Sequence, residues 1–306
     1  MRNAFAKSVT EIISSNKESI LLVGDIGNKL FDSVKNKSKD RFINCGIAEA
    51  NMTSVAAGLA MNGFKPITYT ITPFNVFRNF EQIRLDVCYH NLPVTIVGTG
   101  AGLSYASLGP THHSLEDIAV LKALPNIKLL CPGDPIEVDL ALKATLKETC
   151  PVYIRLGKKG EPIFHSSNIR FKIGKVIKMK SGSEVSLITM GNTMKLAFDC
   201  LDELEKRNIS TELVSFHTIR PLDENFLKKT FETNKKIYIF EEHGSFGGLL
   251  SSFIEFAYKN NYNTSNIINK IYEPTFLSFV GNQNNARKKI GLDKNMIVKK
   301  ILKACG

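Results

Sequence analysis

Between Ser19 and Leu156, short apolar runs rich in β-formers alternate with stretches whose apolar residues recur every three or four positions. No other feature of the chain constrains its fold as much. The runs Ser19-Ile-Leu-Leu-Val-Gly24, Lys65-Pro-Ile-Thr-Tyr-Thr70, Val94-Thr-Ile-Val-Gly98, Ile127-Lys-Leu-Leu-Cys131 and Val152-Tyr-Ile-Arg155 read as strands. The stretches Ala48 to Asn62, Asn75 to His90, Ser114 to Ala123 and Ile136 to Glu148 read as helices. Strand and helix in turn predict a doubly wound α/β domain with a parallel sheet, because parallel neighbours need a crossover between them. In the helix around residue 50, Met52, Val55, Ala56, Leu59 and Ala60 fall on one face, with Gly63 as its C-terminal cap.

The stretch Leu156-Gly-Lys-Lys-Gly-Glu-Pro162 is dense in glycine, proline and charge and marks a boundary. The alternation then restarts with strands at Val185 to Met190, Thr211 to Ser215 and Lys236 to Phe240, and helices at Thr193 to Lys206 and Leu249 to Tyr258. The expected division is a first α/β domain over 1–160, a linker over 161–172 and a smaller α/β domain over 173–306, each built on a largely parallel sheet. A length of 306 residues suits two such domains.

Composition narrows the function classes. With 43% hydrophobic and 23% charged residues the chain is an ordinary globular one, not a disordered or fibrous one. Its longest apolar runs fall far short of the ~20 residues that span a bilayer, and the N-terminal residues lack a secretory signal pattern. The expectation is a cytoplasmic protein with no membrane partner. Six scattered cysteines with no C-x-x-C pair fit reduced thiols, with neither a disulfide frame nor a zinc site. The net charge of +11 is spread over lysine pairs such as Lys158-Lys159 and Lys235-Lys236 without interleaved aromatics. That fits a solvated basic surface that attracts anionic metabolites or an acidic partner, and no nucleic acid is expected.

Two clusters carry chemistry. Gly98-Thr-Gly-Ala-Gly102 follows a strand but lacks the third glycine of a dinucleotide fingerprint, so it reads as a glycine-rich active-site loop. Gly109-Pro-Thr-His112-His113 is the densest polar cluster and sits between a strand end and a helix, as site residues or as a cap for Ser114-Leu-Glu116. Walker A, H-E-x-x-H and G-x-S-x-G patterns are all absent from the sequence. Glu49 is a lone carboxylate among small and apolar residues at a helix start, either a functional group or an acid favoured by the helix dipole. Phe74, Phe77 and Phe80 at i, i+3, i+6 spacing read as packing residues.

Taken together, Asp40-Arg-Phe-Ile-Asn-Cys-Gly-Ile-Ala-Glu-Ala-Asn-Met52, Phe74 with Glu81-Gln-Ile-Arg84, Gly109-Pro-Thr-His-His113, Leu124-Pro-Asn126 and Pro132-Gly-Asp134 resemble the pyrimidine-binding domain of transketolase. His217-Thr-Ile-Arg-Pro-Leu-Asp223 and Glu241-Glu-His-Gly-Ser-Phe-Gly-Gly248 resemble its C-terminal domain, so the resemblance runs the length of the chain. It implies a thiamine-diphosphate enzyme that transfers a two-carbon ketol unit from a ketose to an aldose. Glu49 matches the glutamate that bonds the aminopyrimidine nitrogen. Phe74, with Phe77 as the other candidate, matches the aromatic stacked on that ring, and Asp25 matches an aspartate near the cofactor. His112 matches the histidine that faces cofactor and substrate. Substrate contacts are implied at His112 and His113, with Arg155 and Arg2 for a substrate phosphate.

The Gly-Asp-Gly motif and its later asparagine, which hold magnesium and diphosphate in this family, have no match here. The resemblance therefore implies one half of a split enzyme, with no metal ligand of its own. Mg2+ (or Ca2+) would be held by an N-terminal transketolase subunit around a homodimer core in an α2β2 assembly. Leu108 and Gly100 replace an aspartate and a histidine that read the sugar in the family, which leaves the sugar open. The alternatives are decarboxylation of a 2-oxoacid, as in deoxyxylulose phosphate synthase or the beta chain of a 2-oxoacid dehydrogenase, and a non-catalytic partner subunit.

Overall fold

The computed structural model describes residues 1–27, 29–158, 160–166, 168–233, 235–271 and 275–306. The first sheet is built from β1 (Ser19–Val23), β2 (Phe42–Asn44), β3 (Lys65–Ile71), β4 (Thr95–Thr99), β5 (Lys128–Leu130) and β6 (Val152–Leu156). The second contains β7 (Ile177–Lys180), β8 (Val185–Thr189), β9 (Thr211–Ser215) and β11 (Lys236–Phe240), while β10 (Thr218–Arg220) joins the first. The strand orders are β10-β5-β6-β4-β3-β1-β2 and β11-β8-β9-β7. All pairings are parallel except β10 on β5 and β7 on β9. Both halves are thus α/β domains on largely parallel sheets, as the alternation predicts.

Strands β1, β4 and β6 are buried along their whole length, which is why they read as unbroken apolar runs: helices cover both faces. Ile20 and Leu22 of β1 pack into the layer that holds Met52 and Ala56 of the helix Glu49–Met61. Leu21 and Val23 face the opposite layer, with Phe5, Val9 and Ile13 of the helix Arg2–Ser15. Each such side chain contributes roughly 1.5–3 kcal/mol by leaving water. The first of these layers also takes in Ile188, Met190, Phe216 and Phe253 from the second half, so one core spans both domains. The edge strand β7 instead alternates half-buried Ile177 and Met179 with exposed Lys178 and Lys180, and edge lysines discourage pairing with another chain.

Three expected elements differ. Val55, placed on the buried face of its helix by periodicity, is exposed. The stretch Asn75 to His90 is a set of turns, then the short helix Phe80–Gln82 and a π-helical segment Ile83–Tyr89. Polar side chains divert it: Asn75 Nδ2 donates to the Val97 carbonyl at 3.0 Å and Asn79 Nδ2 to Thr53 Oγ1 at 2.6 Å. The helix expected from Ser114 begins at Asp117, because Ser114 is engaged by a two-way backbone bridge to Gly102. Strand β10, hidden inside the His217-Thr-Ile-Arg motif, was not legible as a strand. No helix among the described residues is long and apolar enough to cross a membrane.

Candidate active site

The loops that follow β1, β3, β4 and β6 emerge at the carboxyl ends of parallel strands, where open α/β sheets place their ligands. Glu49 opens the helix that follows β2 and is 3% exposed. Its carboxylate Oε2 lies 3.3 Å from Nη1 of Arg78, whose guanidinium is stacked 4.3 Å from the centre of the Phe74 ring. Phe74 meets the His112 ring edge-on at 5.2 Å, and His112 meets Tyr105 at 5.9 Å. Lys158 closes the row, with Nζ 4.5 Å above the Tyr105 ring. The loops after β3, β4 and β6 and the helix after β2 thus meet in a continuous line of side chains running from a buried carboxyl to a half-buried ammonium.

Burial holds both His112 and His113 below the ordinary imidazole range, so both are neutral at pH 7. His112 Nδ1 is 3.0 Å from Thr111 Oγ1, and His113 Nε2 is buried without a hydrogen-bond partner. Phe77 is 40% exposed and lies beside His113, Thr111 and Pro110 around a separate cavity of about 180 Å³. Of the two aromatic candidates, Phe74 is the one in line with Glu49 and His112. Asp25 stands at the same end of the sheet with φ 52°, exposed, and accepts from Asn44 Nδ2 at 2.9 Å. Arg2 begins the N-terminal helix with its Nε buried and unpartnered. Among the described residues, neither Asp25 nor Arg2 has a hydrogen bond or ion pair to the line of side chains.

Arg155, which the resemblance assigns to a substrate phosphate, is bonded by its own chain on two of its three guanidinium nitrogens. It is 2% exposed. Nε and Nη2 donate to the two Asp117 oxygens at 2.8 and 3.1 Å, and Nη2 also to the carbonyls of Ser114 and Glu242. Burial alone would raise the Asp117 carboxyl, yet the guanidinium beside it holds it below its usual value. Arg155 joins the two domains through Nε and Nη2, and Nη1 is the guanidinium nitrogen outside these bonds.

Three members of the line were missed by sequence reasoning. Arg78 follows Phe74 by four positions, a signal masked by treating the phenylalanines as a helical stripe. Lys158 was absorbed into a surface lysine pair, and Tyr105 into a loop. The departure at Gly100 also acquires a cause. Its φ is +79°, and a Cβ there would stand 1.9 Å from Cε2 of Tyr105, so the tyrosine ring fills the space a side chain would use. Replacing Gly100 by His is expected to cost about 2–4 kcal/mol through overlap and positive φ. Tyr105→Gly in the same chain should recover part of that loss in a denaturation curve, and a Gly100→His protein as stable as the parent would contradict the packing.

A transketolase pyrimidine binding domain model matches residues 1–161, and a transketolase C-terminal domain model matches 174–297. The chain belongs to the transketolase family. It is 32% identical over 259 residues to a subunit of the apulose-4-phosphate transketolase of Actinobacillus succinogenes, covering 85% of this chain and 83% of that one. It is 28% identical over 302 residues to 1-deoxy-D-xylulose-5-phosphate synthase of Clostridium tetani, covering 98% of this chain and 48% of that one. Among solved structures, a split gene transketolase described as an inactive beta4 tetramer superposes with a TM-score of 0.85 at 29% identity, covering 99% and 97% of the two chains.

Proposed function

We propose that this chain is the pyrimidine-side subunit of a two-component, thiamine-diphosphate-dependent transketolase that moves a two-carbon ketol unit from a ketose to an aldose. The observation that carries the reading is the buried Glu49 carboxyl. Arg78 is the hydrogen-bond partner found for it, at 3.3 Å, and that guanidinium lies on the face of Phe74. A carboxyl so enclosed and so little engaged fits a heterocycle that places a ring nitrogen on Glu49 and its face on Phe74. Thiamine diphosphate, when bound, supplies the carbon that accepts the ketol unit. Glu49 would hold a proton at that ring nitrogen, and the neutral His112 would hydrogen-bond a substrate oxygen as charge develops there.

Diphosphate and Mg2+ (or Ca2+) are assigned to a partner subunit, because the Gly-Asp-Gly motif and its asparagine are missing from this sequence. Ile47, just before the Glu49 helix, is 76% exposed, and Val55 of that helix is exposed too, as are Leu85 and Tyr89 of the π-helical segment packed against it. We assign this apolar face to the assembly with that partner around a homodimer core. The inactive tetramer of the structural neighbour supports a chain that is silent alone.

The test is reconstitution with the diphosphate-binding subunit, thiamine diphosphate and Mg2+. Ketol transfer from hydroxypyruvate to an aldehyde acceptor is expected. Carbon dioxide release from pyruvate without ketol transfer would move the chain to the decarboxylating branch of its relatives.

Lys158 is the cation at the far end of the line from Arg78, and no carboxylate partner is found for it among the described residues. Lys158→Met is expected to raise KM about 10-fold for glyceraldehyde 3-phosphate, the scale of one charge-assisted hydrogen bond, and to leave glyceraldehyde unchanged. Equal effects on both acceptors would remove Lys158 from the phosphate contact.

A further inference from the structure

Glu242 belongs to the second domain, just after β11, and is fully buried. Its Oε1 accepts from the backbone N–H of Leu103, from Asn192 Nδ2 at 3.1 Å and from Gln283 Nε2 at 3.0 Å. Its Oε2 accepts from Gln283 Nε2 and from Nε of Arg287. Arg287 Nη2 in turn donates to the Asn192 carbonyl at 2.9 Å, and Asn192 Nδ2 donates to Ser104 Oγ at 3.1 Å. One carboxylate therefore gathers three side chains of the second domain and ties them to residues 103 and 104 of the first.

Those two residues lie in the turn that carries Tyr105. The start of this loop is fixed by its own domain: the Gly100 and Ala101 N–H groups donate to the carbonyls of Gly157 and Leu156, and Gly102 is bridged to Ser114. Beyond that point, among the described residues, its own domain adds bonds within the turn, such as Ala106 N–H to the Leu103 carbonyl, and His113 against the Ala106 backbone. It also follows two glycines at positive φ, which leave the chain many conformations. Three further hydrogen bonds reach it from across the domain boundary: Glu242 on the Leu103 N–H, Asn192 on Ser104, and the Gly281 N–H on the Ala106 carbonyl. Contact is close enough that a Cβ on Gly102 would stand 2.6 Å from Glu242 Oε1.

We infer that Glu242 is a positioning residue for the reaction, through which the second domain holds the 101–106 turn and thereby sets the Tyr105 ring against His112. The inference rests on the proposed ketol transfer only for its kinetic consequence. A buried ion pair such as Glu242–Arg287 adds little net stability compared with apolar packing, whereas a fully satisfied one fixes a single geometry. Tyr105 and His112 are 5.9 Å apart at the reacting end of the site, where displacement by about 1 Å costs orders of magnitude in rate.

The experiment compares Glu242→Gln and Gln283→Ala with the parent chain, each assembled with the diphosphate-binding subunit, thiamine diphosphate and Mg2+. Gln283→Ala removes two donors without leaving a buried charge, so it keeps the test informative should Glu242→Gln fail to fold. For Glu242→Gln, amide hydrogen exchange in a peptide covering 101–108 is expected to quicken about 10-fold or more, with peptides from the Glu49 helix unchanged. Turnover with hydroxypyruvate should fall about 10-fold or more, in kcat and not KM, with thiamine diphosphate affinity by circular dichroism within about 2-fold of the parent. Gln283→Ala should show the same pattern at about a third of the size. Unchanged exchange at 101–108 in a folded variant overturns the inference, as does faster exchange with full turnover. A parent assembly that transfers no ketol unit would defeat the proposed function instead, and the exchange measurement would then decide the role of Glu242 alone.

Discussion

Glu49→Ala, assembled with the diphosphate-binding subunit and cofactor, should lose at least about 100-fold in turnover, the lower end of what a positioned acid–base group supplies. Three features make the loss specific. The carboxyl is buried at 3% exposure, so bulk water is a poor substitute for it. Its hydrogen-bond partner among the described residues is Arg78, which is itself half-exposed. And it lies in line with Phe74 and His112, so a ring stacked on Phe74 presents its edge to the carboxyl and its reactive side to the imidazole. Glu49→Gln is the sharper variant, because it keeps the volume and removes the proton-sharing carboxyl. It should lose nearly as much activity as the alanine. Folding stability should move by about 1 kcal/mol at most, the scale of an acid in a first helical turn. More than a few per cent of parent turnover in either variant would take Glu49 out of the proton-handling role.

The fold was legible because the central strands announce themselves: β1, β4 and β6 are buried on both faces, so their apolar runs are unbroken and survive without an alignment. Glu49 and His112 stood out only through the resemblance to transketolase, since a lone acid at a helix start also reads as a dipole acid and a histidine pair before Ser114-Leu-Glu116 as a cap. What escaped depended on contacts distant in sequence. Val55 sits on the arithmetic face of its helix, yet the core stops short of it and leaves it exposed. Arg155 was assigned by the resemblance alone, and nothing in Val-Tyr-Ile-Arg reveals that Asp117, 38 residues earlier, bonds two of its nitrogens. Tyr105 and Gly100 are five positions apart, but only the folded loop shows that one occupies the space of the other. Glu242 was read as part of a motif, and its grip on Leu103 joins positions 139 apart.

The largest stability effect is expected from Asp117. Arg155 and Asp117 are buried to 2% and 0% exposure, and the pair is bidentate, with Tyr153 donating to the same carboxylate at 2.7 Å. Asp117→Asn leaves the guanidinium without a counter-charge in the interior, and breaking such a pair costs about 3–5 kcal/mol. The melting temperature should fall by about 6–10 °C, taking roughly 2 °C per kcal/mol for a chain of this size. Because Arg155 also donates to the Glu242 carbonyl, the damage should extend across the domain boundary and appear as lost protection in both halves. The double variant Asp117→Leu with Arg155→Met separates charge from packing. It removes both ions together and should recover much of the stability lost by the single change, because two apolar groups of similar volume need no counter-charge. If Asp117→Asn melts with the parent, the pair contributes no such stability; if the double variant is no better than the single, the hydrogen bonds from Arg155 to the Ser114 and Glu242 carbonyls outweigh the ion pair itself.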